Sequence, residues 1–572
     1  MILRLSLAAT LLASSAPAFA QANDPLAPLP PGQQQRLPEG AQLPDVEASW
    51  SGVFAAIDRE QWDVVRAMLF KLDTRHPLHP VAEAEFYLAA NSPRVSKEPL
   101  EALLVRAPEL PQASQLARLA QRRGADAMPV VATRGLRTLG SAPRRQRGRS
   151  SDDPVAVRLR EEMTSFVDAD DGISAEALYR AAVDEGSLVG EGRAEIAQRV
   201  AWIHYVRGAY ADARRVAAEG AAYGQSEWKA RSAWIEALAS WRLNDCRTAG
   251  DAFRLAALGT SDRELAAAGH YWSARAAQAC GNPHEVQSRL RAAAANEESF
   301  YGIVARETLG MALKPAQRVE TPSARDLERV AQLPNIARAI ALVEIGRRSL
   351  AEEYLKHQAA IGDPRQHKAL VEIAKRLDLG GAQYWLATNG QPGASVDLAD
   401  RYPAPGWTPD NGWRLDPYIA YAHVIQESDF RPRVVSPADA VGLMQVRPGT
   451  ARDTARSRGQ TVTADDLKRP ETNLDHGQAF IELMRREPAT RDELFRVTAS
   501  YNAGLVPVTR WQSIADGGDP LLWMESLPYW ETRFYIPSVL RNYFVYHALA
   551  GNRPPALKDV VEHRAPKYPT RR

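Results

Sequence analysis

Glu427 is the residue in this chain best placed to move a proton. It closes an apolar run, Ile419, Ala422 and Ile425, that opens after Asp416-Pro417. An acidic cap followed by proline in the first turn is a strong helix start. Glu427 is therefore expected near the C-terminal end of a buried helix, where the helix dipole disfavours a negative charge. Apolar surroundings and that dipole both raise a carboxyl pKa, which suits a general acid working near neutrality. A glutamate at a fraying surface helix end fits this segment alone equally well. Three further groups of residues bear on the choice: Ser436 with Gly442-Leu443-Met444-Gln445, then Ala499-Ser500-Tyr501-Asn502-Ala503-Gly504, then Trp530-Glu531-Thr532-Arg533-Phe534-Tyr535.

Taken in this order within one domain, Glu427-Ser428, Gly442-Leu443-Met444-Gln445, Tyr501-Asn502-Ala503-Gly504 and the Glu531 segment closely resemble the catalytic domain of the soluble lytic transglycosylases. Weaker resemblance reaches upstream to Trp62, the His79-Pro80 region and Ser299-Phe300-Tyr301-Gly302. It implies a goose-lysozyme-like domain that cleaves peptidoglycan with Glu427 as the single catalytic acid and base. Ser436, Gly442, Leu443, Met444, Gln445, Tyr501, Asn502 and Glu531 are implied as substrate-binding or supporting residues. No metal or cofactor is implied. Three positions depart from the family's pattern: Asp439 stands where glycine is usual, Ile425 where arginine is frequent, and Arg447 where methionine is common. The first puts the conformation of the Ser436–Gly442 loop in question.

Two-carboxylate glycosidases need a partner at about 5–5.5 Å or about 6.5–9.5 Å. The candidates are Asp429, Asp439 and Glu531, and the resemblance gives none of them the nucleophile's role. It implies instead that the 6-hydroxyl of N-acetylmuramic acid closes onto C1, leaving a 1,6-anhydro end. A hydrolytic muramidase using Asp439 or a bound water, and a non-catalytic glycan-binding scaffold, are the competing readings.

The elements that must hold these residues read as all-α. With 572 residues the chain has room for two to four domains. Residues 1–20 carry Arg4, an apolar Leu5–Leu12 core and Ala18-Phe19-Ala20, the pattern of a cleaved signal peptide. Residues 21–45 are a Pro/Gln-rich lead-in, 46–140 a helical segment, and 141–154 a basic linker or loop with Arg144, Arg145, Arg147 and Arg149. Residues 155–400 form a superhelical solenoid of paired helices, 401–550 the lysozyme-like domain and 551–572 a tail. The repeat shows in three turns, Gly208, Asn244 and Gly281, spaced 36 and 37 residues apart. Cys246 and Cys280, the two cysteines of the chain, fall at these turns. One disulfide or two buried thiols both fit.

A formal charge of +2 gives no bulk case for nucleic acid, and no later run approaches a membrane span. The expectation is a monomeric periplasmic protein acting on peptidoglycan glycan strands, with the solenoid offering surfaces to protein partners.

Overall fold

The structure, a computed structural model, describes residues 44–225, 227–313 and 319–571. The leader expected at 1–20, and the lead-in up to residue 43, lie outside the described residues. Among the described residues the regular secondary structure is almost entirely helical. Their one sheet pairs Arg137–Thr138 antiparallel with Asn389–Gly390, and a few isolated bridges complete the extended structure. Among the described residues no helix is long and apolar enough to cross a membrane.

Packing divides the described residues into two compact units, those up to 139 with 321–395, and those of 140–320 with those from 396 on. The linear partition read from the sequence does not coincide with these units. Residues 321–395, read as the end of the solenoid, pack with the N-terminal helices instead. In that unit Arg338 pairs with Glu109 at 2.7 Å, Asn335 donates to the Glu109 carbonyl at 2.7 Å, and the Arg134 amide donates to the Ala360 carbonyl at 2.9 Å.

The second unit contains, after two short helices, the stacked helices Gly172–Asp184, Gly190–Val206, Tyr210–Tyr223, Glu227–Arg242, Cys246–Leu258, Arg263–Ala279, Pro283–Ala294 and Phe300–Thr308, consecutive members packing on each other. Alternate starts at Gly190, Glu227, Arg263 and Phe300 recur every 36 or 37 residues. Gly208, Asn244 and Gly281 all have left-handed backbone at equivalent turns (φ 82°, 59° and 72°), a conformation glycine and asparagine adopt at low cost. Asp171, Asp245, Asp262 and Ser299 cap helices by accepting from amides in the first turn. The structure bonds Cys246 to Cys280, with Cα atoms 5.6 Å apart.

The basic stretch expected as a solvated linker is irregular but only partly solvated. Arg149 is exposed, whereas Arg145 is buried between the rings of Trp234 and Phe534, at 5.0 and 4.8 Å, and pairs with Glu525 at 3.5 Å. The guanidinium is driven inside because flat aromatic faces and a buried carboxylate await it there. The same carboxylate accepts from Tyr301 at 2.9 Å, and Ser526 meets Tyr205 and Arg242 at 2.9 and 2.8 Å. Stacked helices and C-terminal helices thus share one buried polar seam within this unit.

Four C-terminal helices, Pro417–Ser428, Pro448–Arg456, Pro470–Arg486 and Pro520–Glu525, begin with proline, whose missing amide costs nothing in a first turn. The helices Pro417–Ser428 and Leu494–Ala503 pack on the long helix Trp530–Leu549. Ile419, Val424, Val497, Ile536 and Val539 are fully buried in this domain. The tail does not trail away. Leu494 donates to the Pro566 carbonyl, Tyr568 to that of Asp492, and Arg571 to that of Arg414, at 2.8, 2.9 and 3.0 Å.

Candidate active site

Glu427 lies in the last turn of the Pro417–Ser428 helix, which Asp416 caps through the Tyr418 amide. Beyond it Asp429 and Phe430 both take left-handed backbone (φ 51° and 61°), so the chain turns sharply away. Burial pushes the Glu427 carboxyl up to about 7, a hydrogen bond from Tyr535 pulls the other way, and the Glu531 charge raises it further. The Tyr535 hydroxyl donates to Glu427 Oε1 at 2.6 Å. Tyr535 lies in the Glu531 segment, where the family resemblance implies no role for it. The signal was its position four residues after Glu531, on the same face of one helix.

Behind Tyr535 sits His423, fully buried and four residues before Glu427. Its Nδ1 is 2.8 Å from the Tyr535 hydroxyl and its Nε2 3.0 Å from that of Tyr568. Burial lowers the imidazole pKa to about 3, so the ring is neutral at working pH. Burial likewise raises the phenols of Tyr501 and Tyr535 well above their usual value.

The Ser436–Arg447 loop forms the adjoining wall and is built largely by its own hydrogen bonds. The Ser436 hydroxyl accepts from the Ala438 and Ala440 amides at 3.2 and 3.0 Å, so it organises this turn. Asp439, where glycine was expected, has φ 60°, a region aspartate tolerates, and its side chain is exposed. Gly442, with φ 77°, permits a close approach, but to protein: a Cβ there would lie 2.3 Å from Asn473 Nδ2 and 2.5 Å from the Leu467 carbonyl.

Leu443 and Met444, implied as substrate-binding or supporting residues, are fully buried, because their apolar side chains complete the core. What Met444 presents is backbone: its amide donates to Asn473 Oδ1 at 2.7 Å and its carbonyl accepts from the Tyr501 hydroxyl at 2.6 Å. The Gln445 amide nitrogen donates to the Gly442 carbonyl at 2.9 Å, leaving its oxygen as the group to offer a ligand. Asn473, unmarked by any motif, donates to the Val441 and Leu467 carbonyls, both at 2.8 Å, and so pins the loop from the next helix.

Asn502 accepts from Thr532 at 2.7 Å and its amide approaches Glu531 at 3.5 Å. This joins the Leu494–Ala503 helix to the first turn of Trp530–Leu549, where a carboxylate is favoured by the helix dipole. Trp511 and Trp523 are core residues, and Trp523 donates to the Trp511 carbonyl at 3.2 Å. Trp530 packs edge-on to Phe534. Among the described residues, Glu531 is the carboxylate whose charge bears on Glu427.

A buried acid titrating near neutrality, one tyrosine donating to it, and a helical frame around a loop-built wall define a class of site. Residues 409–522 match the transglycosylase SLT domain. The soluble lytic murein transglycosylase of Escherichia coli K12 is 33% identical over 166 residues, 28% of this chain and 24% of that protein. The chain thus matches about a quarter of the length of that relative. In fold, the crystal structure of the 70 kDa soluble lytic transglycosylase of Escherichia coli superposes with a TM-score of 0.54 at 17% identity, covering 90% of this chain and 99% of that one. A complex of the 70 kDa enzyme with bulgecin A gives 0.52 at 20% identity, covering 88% and 97%. Residues 409–522 thus carry a transglycosylase SLT domain, and the fold is that of the 70 kDa soluble lytic transglycosylase.

Proposed function

We propose that the chain is an exported peptidoglycan lytic transglycosylase that cleaves the β-1,4 bond between N-acetylmuramic acid and N-acetylglucosamine. The observation that carries this reading is the seat of Glu427 at the end of its helix, with Tyr535 donating to it and burial raising its carboxyl to about 7. Protonated, Glu427 gives its proton to the glycosidic oxygen as the C1–O4 bond breaks. The 2-acetamido carbonyl assists the departure, as in substrate-assisted exceptions to the two-carboxylate rule. The resulting carboxylate, steadied by the Tyr535 hydroxyl, then takes the proton of the muramic acid 6-hydroxyl while O6 bonds to C1. The proton lost in the first step is regained in the second, and no water is consumed.

Two features of the site support this over hydrolysis. Asp439, which a muramidase would use unless a bound water served instead, is exposed on a turn. Glu531 belongs with Asn502 and Thr532, an arrangement suited to binding. Gln445 through its oxygen, and Asn502 with Glu531, are the groups we assign to the sugar's amide and hydroxyls. Periplasmic location rests on the leader pattern at 1–20 and on relatives named for murein.

Replacing Glu427 with Gln tests the reading. Positioned acid–base catalysis contributes about 10²–10⁴-fold, so turnover should fall by at least that much while glycan binding survives. Activity within tenfold of wild type would overturn the single-acid mechanism.

A further inference from the structure

Glu427, Tyr535, His423 and Tyr568 form one continuous hydrogen-bonded line, with successive separations of 2.6, 2.8 and 3.0 Å. Its direction is fixed at the carboxylate end. An ionised carboxylate has no proton to give, so the single hydroxyl proton of Tyr535 points to Oε1. The Tyr535 oxygen is then an acceptor, and Nδ1 of His423 must carry the proton that it receives. A neutral ring has one N–H, so Nε2 accepts, and Tyr568 donates to it. Tyr535, His423 and Tyr568 are neutral and buried, and each donation polarises the next toward the carboxylate.

We propose that His423 and Tyr568 are positioning residues for the acid proposed above: they hold Tyr535 donating to Oε1, which leaves Oε2 to carry the transferable proton. The inference rests on that reading of Glu427. Its anchor is the C-terminal tail. Tyr568 is held by its own amide on the Asp492 carbonyl, and its neighbours Lys567 and Thr570 bridge to Glu493 and Leu415. Both flanks of the tail are therefore pinned to the domain, and the phenol is aimed at the imidazole.

The titratable and charged groups facing this line are Glu531 beside Glu427, Tyr501 alongside Tyr535, and Asp416 and Arg485 near Tyr568. None of them sits between its members. Because Tyr535 stabilises the charged form of Glu427, weakening its donation raises the Glu427 pKa. Cooperative strengthening of roughly 10–30% in a charge-assisted bond corresponds to a few tenths of a pH unit.

The test titrates the Glu427 carboxyl by ¹³C NMR in the full chain without substrate, the Glu427→Gln spectrum identifying its resonance. Wild type is compared with Tyr568→Phe, Tyr535→Phe and the double variant, each keeping the buried ring. Tyr568→Phe should raise the titration by a few tenths of a unit, Tyr535→Phe by more, and the double variant no further than Tyr535→Phe alone. In turnover, the alkaline limb of kcat/KM should shift in the same order, with KM unchanged. An unmoved titration in Tyr568→Phe, or an equal added shift once Tyr535 is gone, would overturn the brace. A wild-type protein that releases no sugar product would contradict the proposed activity, while the titration still decides the brace.

Discussion

A carboxylic acid can lend a proton near neutrality only if its charged form is made costly, and folding does this to Glu427. Its pKa rises from 4.5 to about 7 because burial removes water that the unfolded chain would offer. The folded state therefore binds the proton more tightly than the unfolded state. Stability from this group is fully present below its unfolded value and is lost as pH rises through the folded one. Glu427→Gln should accordingly be more stable than wild type at pH 8, by up to about 3 kcal/mol, and equal to it near pH 4. Denaturant midpoints at the two pH values check this. An advantage that grows toward acid pH would mean that Glu427 is not a raised acid. The candidate acid was legible because an Asp-Pro start and an apolar run fix where its helix ends. Tyr535 and His423 were not, because their roles arise from a meeting of two helices 112 residues apart in sequence.

At the scale of the element, the Ser436–Arg447 loop works as a rigid wall. Gly442→Ala would set a methyl against Asn473 and the Leu467 carbonyl at a left-handed position. It should cost roughly 1–3 kcal/mol and lower turnover at least tenfold, because the Met444 carbonyl that holds Tyr501 would shift. Asp439→Gly relieves a left-handed residue at the same loop's exposed tip, so fold and turnover should stay within about twofold of wild type. Thermal midpoints and turnover on purified sacculi separate the two cases, and a benign Gly442→Ala would contradict the packed wall. The motif Gly442-Leu443-Met444-Gln445 was readable as a string, but its physical content was not. The Leu443 and Met444 side chains turn inward and the Met444 backbone does the contacting, with Asn473 reaching over from Pro470–Arg486 and no local signal for it in the sequence.

Across the whole molecule, the period of 36 to 37 residues was visible because Gly208, Asn244 and Gly281 each need the same backbone conformation. The two units were not, since residues 321–395 have a helical pattern like their neighbours, and only packing assigns them to the N-terminal helices. Likewise a run of arginines reads as solvated until a carboxylate and two aromatic rings are found around Arg145. The bond between Cys246 and Cys280 closes a loop with sequence separation 34. Limiting the unfolded chain in this way stabilises by about 3–4 kcal/mol. Reduction should lower the unfolding midpoint of the stacked helices and leave turnover on short glycans within about twofold, since neither cysteine lies on a helix carrying Glu427, Tyr501 or Tyr535. Loss of turnover in parallel with reduction would mean that the stacked helices shape the site directly. The central claim, that one acid both breaks the glycosidic bond and closes the ring, is tested most directly by the mass of the sugars released from peptidoglycan by the purified protein. Products ending in 1,6-anhydro-N-acetylmuramic acid, lighter by one water than reducing ends, are the result the account predicts. Reducing ends as the main product would contradict it.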